Sequence, residues 1–215
     1  MTRVKICGVT SLEDACMCAE LGADFIGNIV GIPSSPRNIS IDRSKRIMAG
    51  LPAGVRGIIV MAPQSLSEVR EAVERIEPWG VQLHGREGTD LVKEVREDLS
   101  CRVIKALHVA GERTLEEALE HSKVCDAILL DTPAEGLGGS GAVHDWRISR
   151  KIRESLQSPV FLAGGLNPEN VSEAIREVGP YCVDTSSGVE ARPGKKDPEK
   201  VRRFIEGAKA AAQPL

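Results

Sequence analysis

The chain has 215 residues, with 28 Lys plus Arg against 31 Asp plus Glu, a net charge of -3. That length makes one domain with a full core, and 41% hydrophobic with 27% charged residues excludes global disorder. The slightly acidic balance and only 3% aromatic residues argue against nucleic acid as a partner.

In chain order, short β-type runs alternate with longer amphipathic ones. The predicted strands are Arg3–Cys7, Asp24–Val30, Val55–Met61, Gly80–Leu83, Arg102–Leu107, Ala127–Asp131, Val160–Ala163 and Cys182–Thr185. Between them Ser11 caps a helix over Leu12–Leu21, and Ser40 or Asp42 opens one that reaches Ala49. Ser65 and Glu68 have capping-box spacing for a helix that runs to Ile76. Glu87–Leu99, Thr114–His121 and Asp145–Leu156 read as three more helices. Asn167-Pro168 and Asp197-Pro198 each look like an N-cap followed by a first helical residue.

Eight strands in strict alternation with eight helices imply a parallel sheet. Eight equal units favour a closed (β/α)8 barrel, a TIM barrel, over an open doubly wound sheet. The expected organisation is one domain over residues 1–209, with a frayed tail at 210–215. No apolar run approaches the roughly 20 residues of a membrane helix, and the N-terminus lacks the pattern of a signal peptide. The six cysteines contain no CxxC pair and suggest neither a disulfide frame nor a zinc site, so the cytoplasm is the expected compartment.

In such a barrel the chemistry sits at the carboxyl ends of the strands. Period two then turns Lys5 and Cys7 into the interior on the first strand, because Val4 and Ile6 suit the helix side. The same parity brings Asp131 inward on the sixth strand and Asp184 and Ser186 on the eighth. Lys105 on the fifth strand is also expected inside, and Gln82 and His84 present two polar side chains on the inner face of the fourth.

Gly136-Leu-Gly-Gly-Ser-Gly141 matches GxGxxG but follows the sixth strand instead of opening the first βαβ unit, so it reads as a loop over the site rather than a dinucleotide fingerprint. The clusters Ala163–Glu169 and Ser186–Glu190 follow the seventh and eighth strands, where such barrels often hold a phosphate. Arg37, in the loop after the second strand, is a candidate carboxylate clamp. The four histidines share no metal-ligand spacing.

Ten segments carry a family resemblance: KICGVT (5–10), GADFIG (22–27), SPRNIS (35–40), VQLHG (81–85), VIKALHV (103–109), LLDT (129–132), GGSG (138–141), DW (145–146), LAGGLNPENV (162–171) and VDTSSGVE (183–190). Together they resemble phosphoribosylanthranilate isomerase of tryptophan biosynthesis. The resemblance implies an Amadori rearrangement of N-(5-phosphoribosyl)anthranilate to 1-(2-carboxyphenylamino)-1-deoxyribulose 5-phosphate, with no cofactor or metal. It implies Cys7 as general base, Asp131 as general acid and Arg37 at the anthranilate carboxylate. It also implies Gly164, Gly165, Ser186 and Ser187 around the phosphate and Asp184 near the ribose hydroxyls, while Gln82 and His84 are expected to bind substrate. The partner is then a small phosphosugar, with neither nucleic acid nor membrane, for a monomer or a homodimer. The chain departs from the family pattern at Met61, where Asn is usual, and at Ala142, where Lys is frequent, which bears on affinity and loop closure. The related histidine-pathway isomerases use two aspartates, and here Cys7 takes the first position. A non-catalytic phosphosugar binder on the same scaffold is the remaining alternative.

Overall fold

The computed structural model describes residues 2–133 and 143–211. Its barrel strands are β1 (Arg3–Ile6), β2 (Phe25–Val30), β4 (Arg56–Met61), β5 (Gly80–Leu83), β6 (Arg102–His108), β7 (Ala127–Asp131), β8 (Val160–Leu162) and β9 (Cys182–Thr185). A two-residue strand β3 (Asn38–Ile39) lies along β2. Neighbours pair in parallel around the ring, and β1 bonds both β9 and β2, which closes the sheet. The helices are α1 (Leu12–Glu20), α2 (Ile41–Ala49), α3 (Leu66–Ile76), α4 (Thr89–Asp98), α5 (Arg113–His121), α6 (Trp146–Ser155), α7 (Val171–Val178) and α8 (Pro198–Ala211).

Two apolar layers follow from strand parity. Phe25, Ile58, Ile104, Ala106, Leu129, Phe161 and Cys182 fill the interior. Their alternates, among them Ile26, Ile59, Val81, Val103, Ile128 and Val183, pack outward with Ala15, Ile47, Val92 and Phe204 of the helices. Full burial of each Val, Leu or Ile side chain stabilises the fold by about 1.5–3 kcal/mol before entropy is counted.

The predicted caps at Ser11 and Ser40 form, accepting from the backbone N–H of Asp14 and Arg43. Several expectations are corrected. Ser65 makes no cap bond. Glu68 reaches back to the Gln64 N–H instead, at 3.2 Å. Asn167 makes the expected cap bonds, its Oδ1 accepting from the N–H groups of Glu169 and Asn170, but residues 168–170 form a turn and the regular helix α7 starts only at Val171. The fourth helix begins at Thr89 rather than Glu87, whose side chain turns inward to Lys105.

Lys105 is not in the barrel interior. It lies in register with Leu83 and Ile128, which pack outward, and its Nζ bonds Leu83 O, Gly85 O and Glu87 Oε2 behind the sheet. Both sets of alternates around Lys105 are apolar, so hydropathy there carries no parity. After β9 the chain makes a 3-10 turn (Ser187–Val189) and a small antiparallel hairpin of β10 (Glu190–Arg192) and β11 (Lys195–Lys196), which the sequence reading lacked. Ala210 and Ala211 are helical, and the rest of the expected frayed tail lies outside the described residues, as does the loop at 136–141 with Ala142.

Candidate active site

A cavity of about 340 Å³ opens at the carboxyl ends of the strands. Cys7 reaches it from the end of β1, Gln82 and His84 from β5, Asp131 from β7, and Asp184 from β9. Arg37 enters from the loop after β2, and Gly164, Gly165, Ser186 and Ser187 form the wall after β8 and β9. The structure thus brings every candidate site residue to one cavity. Met61 turns away from it, toward the outer apolar layer, while Val60 takes the inner position.

The Cys7 N–H is fixed by Thr185 O at 2.8 Å. Gly8 follows with φ 67, a left-handed conformation suited to glycine, and a Cβ there would lie 2.5 Å from Arg37 Cδ and 2.6 Å from Ser186 Oγ. That glycine lets the arginine stem and the serine wall approach the thiol. Burial pushes the Cys7 thiol above its ordinary value, against the pull of the Lys5 charge. Lys5 is fully buried, and its Nζ donates to Asp184 Oδ2 and Gln82 Oε1, each at 2.9 Å. Burial alone would lower the Lys5 ammonium, but Asp184 and Cys7 raise it, so it is a fixed cation beside the thiol.

On the far side, Asp131 Oδ2 lies 3.3 Å from His84 Nε2, and Oδ1 accepts from the Thr132 N–H at 2.8 Å. Burial pushes the Asp131 carboxyl up, but these hydrogen bonds and the charge His84 carries when protonated outweigh it and hold the group below its ordinary value. His84 Nδ1 meets Gln82 Nε2 at 2.8 Å. His108 stands edge-on to His84 with ring centroids 5.7 Å apart, and burial lowers its affinity for a proton.

The loops after β8 and β9 form one wall. Thr185 Oγ1 donates to Leu166 O at 2.7 Å, and consecutive glycines with φ 84 and 68 turn the chain at Gly164 and Gly165. Among the described residues, Asp184 Oδ1 and Ser186 Oγ are buried without a hydrogen-bond partner. Such groups are costly unless a ligand engages them.

Sequence reading left Glu190 at the end of the Ser186–Glu190 cluster without a role and missed Lys196 altogether. Glu190 takes both Arg37 Nε and Nη2, and Lys196 Nζ donates to Glu190 Oε1 at 3.0 Å and to Ser186 O at 3.0 Å. The run Glu190–Lys196 reads as a solvated charged turn. The one available signal was that an arginine clamp near a buried site needs an anion to hold it.

The family model of N-(5'phosphoribosyl)anthranilate (PRA) isomerase matches residues 4–207. The N-(5'-phosphoribosyl)anthranilate isomerase of Methanocella arvoryzae is 49% identical over 207 residues, covering 96% of this chain and 97% of that protein. The crystal structure of phosphoribosyl anthranilate isomerase from Thermotoga maritima superposes with a TM-score of 0.89 at 42% identity, covering 98% of this chain and 100% of that one. A crystal structure of phosphoribosyl anthranilate isomerase in complex with reduced 1-(o-carboxyphenylamino)-1-deoxyribulose 5-phosphate is similar with a TM-score of 0.86 at 40% identity, over 98% and 100% of the two chains. With matches at this identity running almost end to end on a barrel of the same shape, the chain belongs to the N-(5'-phosphoribosyl)anthranilate isomerase family.

Proposed function

We propose that the chain performs the Amadori rearrangement of N-(5'-phosphoribosyl)anthranilate, a step of tryptophan biosynthesis, with Cys7 as general base and Asp131 as general acid. The observation that carries this reading is that the thiol and the carboxyl, from β1 and β7, line one cavity of substrate size. Asp131 gives its proton to the furanose oxygen, the ring C–O bond breaks, and the anthranilate nitrogen becomes a protonated Schiff base. That cation acidifies the adjacent sugar C–H, and the Cys7 thiolate removes the proton. The enolamine then tautomerises to the aminoketose, so the isomerisation needs no external electrons. Each positioned acid or base contributes about 10²–10⁴-fold to the rate.

Holding the substrate at both anionic ends supplies the rest. In this reading Arg37 takes the anthranilate carboxylate, and the backbone of Gly164, Gly165, Ser186 and Ser187 takes the phosphate. Asp184 Oδ1 and Ser186 Oγ, unpartnered among the described residues, receive the sugar hydroxyls and phosphate. His84 lines the same cavity, 3.3 Å from Asp131, where it can also touch the sugar. The two substrate anions raise the Asp131 carboxyl toward the protonated form it needs. A cytoplasmic monomer or homodimer fits this reading, and the Thermotoga maritima relative is dimeric. No helix among the described residues is long and apolar enough to cross a membrane.

The test is turnover of N-(5'-phosphoribosyl)anthranilate, followed by anthranilate fluorescence, in wild type and in Cys7→Ala and Asp131→Asn chains that keep the wild-type unfolding transition. Each variant is expected to lose about 10²-fold or more in kcat. Near-normal turnover in either removes that residue from the mechanism, and no turnover in the folded wild type removes the activity.

A further inference from the structure

Gln82 is oriented at both ends. The Lys5 ammonium only donates, so the amide oxygen faces it at 2.9 Å. That places the amide nitrogen, also only a donor, 2.8 Å from His84 Nδ1. His84 Nδ1 is therefore an acceptor, and a neutral ring carries its proton on Nε2, 3.3 Å from Asp131 Oδ2.

From this chain of bonds we infer that Gln82, oriented by Lys5, is a positioning residue that holds His84 as the neutral imidazole protonated on Nε2, and so keeps the Asp131 carboxyl out of an ion pair. The run Lys5 to Gln82 to His84 to Asp131 has one polarity throughout. Reversing the Gln82 amide sets donor against donor at the buried Lys5 end, where an unmade bond costs about 1–3 kcal/mol. Gln82 is only 1% exposed, so both its amide atoms are committed inside the protein although it borders the cavity.

The consequence falls on acid strength. An imidazolium at Nε2 would pair with the Asp131 carboxylate and disfavour its proton, whereas a neutral ring supplies one hydrogen bond and no charge. The groups facing His84 are Asp131 from β7, His108 from β6, Asp184 from β9, and Lys5 on β1 acting through Gln82, with Cys7 beside Lys5. A carboxylate in place of the Gln82 amide would accept from Lys5 and from a proton on His84 Nδ1 alike, and so invite the imidazolium.

The inference rests on Asp131 being the general acid, but its first readout needs no turnover. In 15N-labelled protein at neutral pH, two-bond 1H–15N correlations of the His84 ring, assigned by loss in His84→Asn, are expected to show a protonated Nε2 and an unprotonated Nδ1. In Gln82→Glu both nitrogens are expected to be protonated. Its kcat is expected to fall about tenfold, the effect of one pKa unit on a protonated fraction, with KM within about twofold of wild type. Gln82→Met, which keeps the length without the amide, is expected to give a mixture of ring tautomers. A wild-type ring protonated on Nδ1, or a Gln82→Glu ring indistinguishable from wild type, overturns the inference. A Gln82→Met chain that raises KM at unchanged kcat also overturns it, by marking Gln82 as a substrate contact. Full activity in Asp131→Asn would instead sink the acid assignment and leave the ring measurement standing.

Discussion

Glu190 holds Arg37 through two parallel hydrogen bonds, from Nε to Oε1 at 2.8 Å and from Nη2 to Oε2 at 2.6 Å. This fork-to-fork geometry fixes the plane of the guanidinium and leaves Nη1 without a hydrogen bond among the described residues. The same carboxylate accepts from Lys196 Nζ at 3.0 Å and the Gly194 N–H at 3.2 Å. The hairpin after β9 is thus an arm that aims a cation at the mouth. Burial pushes Glu190 up, but Arg37 and Lys196 hold it below its ordinary value, so it stays charged.

Arg37→Ala is expected to raise KM for the anthranilate substrate more than it lowers kcat, because the clamp holds the ground state and the transition state alike. Glu190→Gln is expected to raise KM less, since the amide oxygen still accepts one bond. It also removes the countercharge of Lys196, which is 1% exposed and then keeps only the uncharged Ser186 carbonyl and the amide. Breaking a buried pair on one side costs about 3–5 kcal/mol, so denaturant unfolding is expected to show a loss of that order. A Glu190→Gln chain with wild-type stability and wild-type KM would reduce the hairpin to decoration.

The pH dependence follows from the order of the two groups. The reacting form needs Cys7 deprotonated and Asp131 protonated, yet burial raises Cys7 from 9.0 while His84 and Thr132 outweigh burial to lower Asp131 from 3.8. Below the Asp131 value, each unit of falling pH costs about tenfold in thiolate while Asp131 gains nothing. Above the Cys7 value, rising pH strips Asp131 while Cys7 gains nothing. Between the two the changes cancel. The expected kcat/KM is therefore flat from about pH 7.5 to about pH 8.5, above the range in which an ordinary imidazole takes up a proton, with the reacting form a minor species. A steep limb inside that window would mean that another group carries the proton.

Much of this site was legible because its residues alternate with unmistakable outward ones. Val4 and Ile6 define the parity of Lys5 and Cys7, and Ile128 and Leu130 do the same for Asp131. Around Lys105 the neighbours on both faces are apolar, Ile104 and Ala106 inward, Val103 and Leu107 outward, so sequence offered no basis for its direction. Glu190 and Lys196 were hidden for another reason. Local sequence treats Glu190-Ala-Arg-Pro-Gly-Lys-Lys196 as a polar turn, and only the approach of Arg37 from the opposite part of the chain buries it. The first turn of α4 slipped because Glu87 bonds elsewhere, to the Gly85 N–H and to Lys105, which propensity cannot register.

Gly27→Ala tests the seating of the thiol without backbone strain. A Cβ at Gly27 would lie 2.9 Å from Cys7 Sγ and 3.2 Å from both Cys7 Cα and Lys5 Cε. The strand can accept alanine, so the cost falls on the thiol and its cation. A displacement of a few tenths of an ångström at the base is expected to lower kcat by about tenfold or more, with a smaller change in KM. Unchanged kcat would show that Cys7 has latitude the mechanism does not allow.

Lys5 on β1 and Lys105 on β6 are both buried, and their removal is expected to affect activity differently. Lys5 lies inside, bonded to Asp184 and Gln82 beside Cys7, whereas Lys105 lies behind the sheet, 2.7 Å from Glu87 Oε2. Lys105→Met strands a buried carboxylate whose remaining bond comes from the Gly85 N–H at 2.8 Å. A one-sided loss of this kind costs about 3–5 kcal/mol, whereas exchanging both partners for apolar groups of like volume is often near neutral. The Lys105→Met/Glu87→Leu chain is therefore expected to recover most of the stability lost in Lys105→Met, and both are expected to keep kcat near wild type. Lys5→Met likewise strands a buried carboxylate, Asp184, but is expected to differ in activity. Apart from any loss of stability, kcat falls, because the thiol loses its nearest cation and Gln82 its orientation. Denaturant unfolding and turnover on the same preparations separate the two behaviours. A large fall in kcat for the stable Lys105 double variant would place the outer lysine in the chemistry after all.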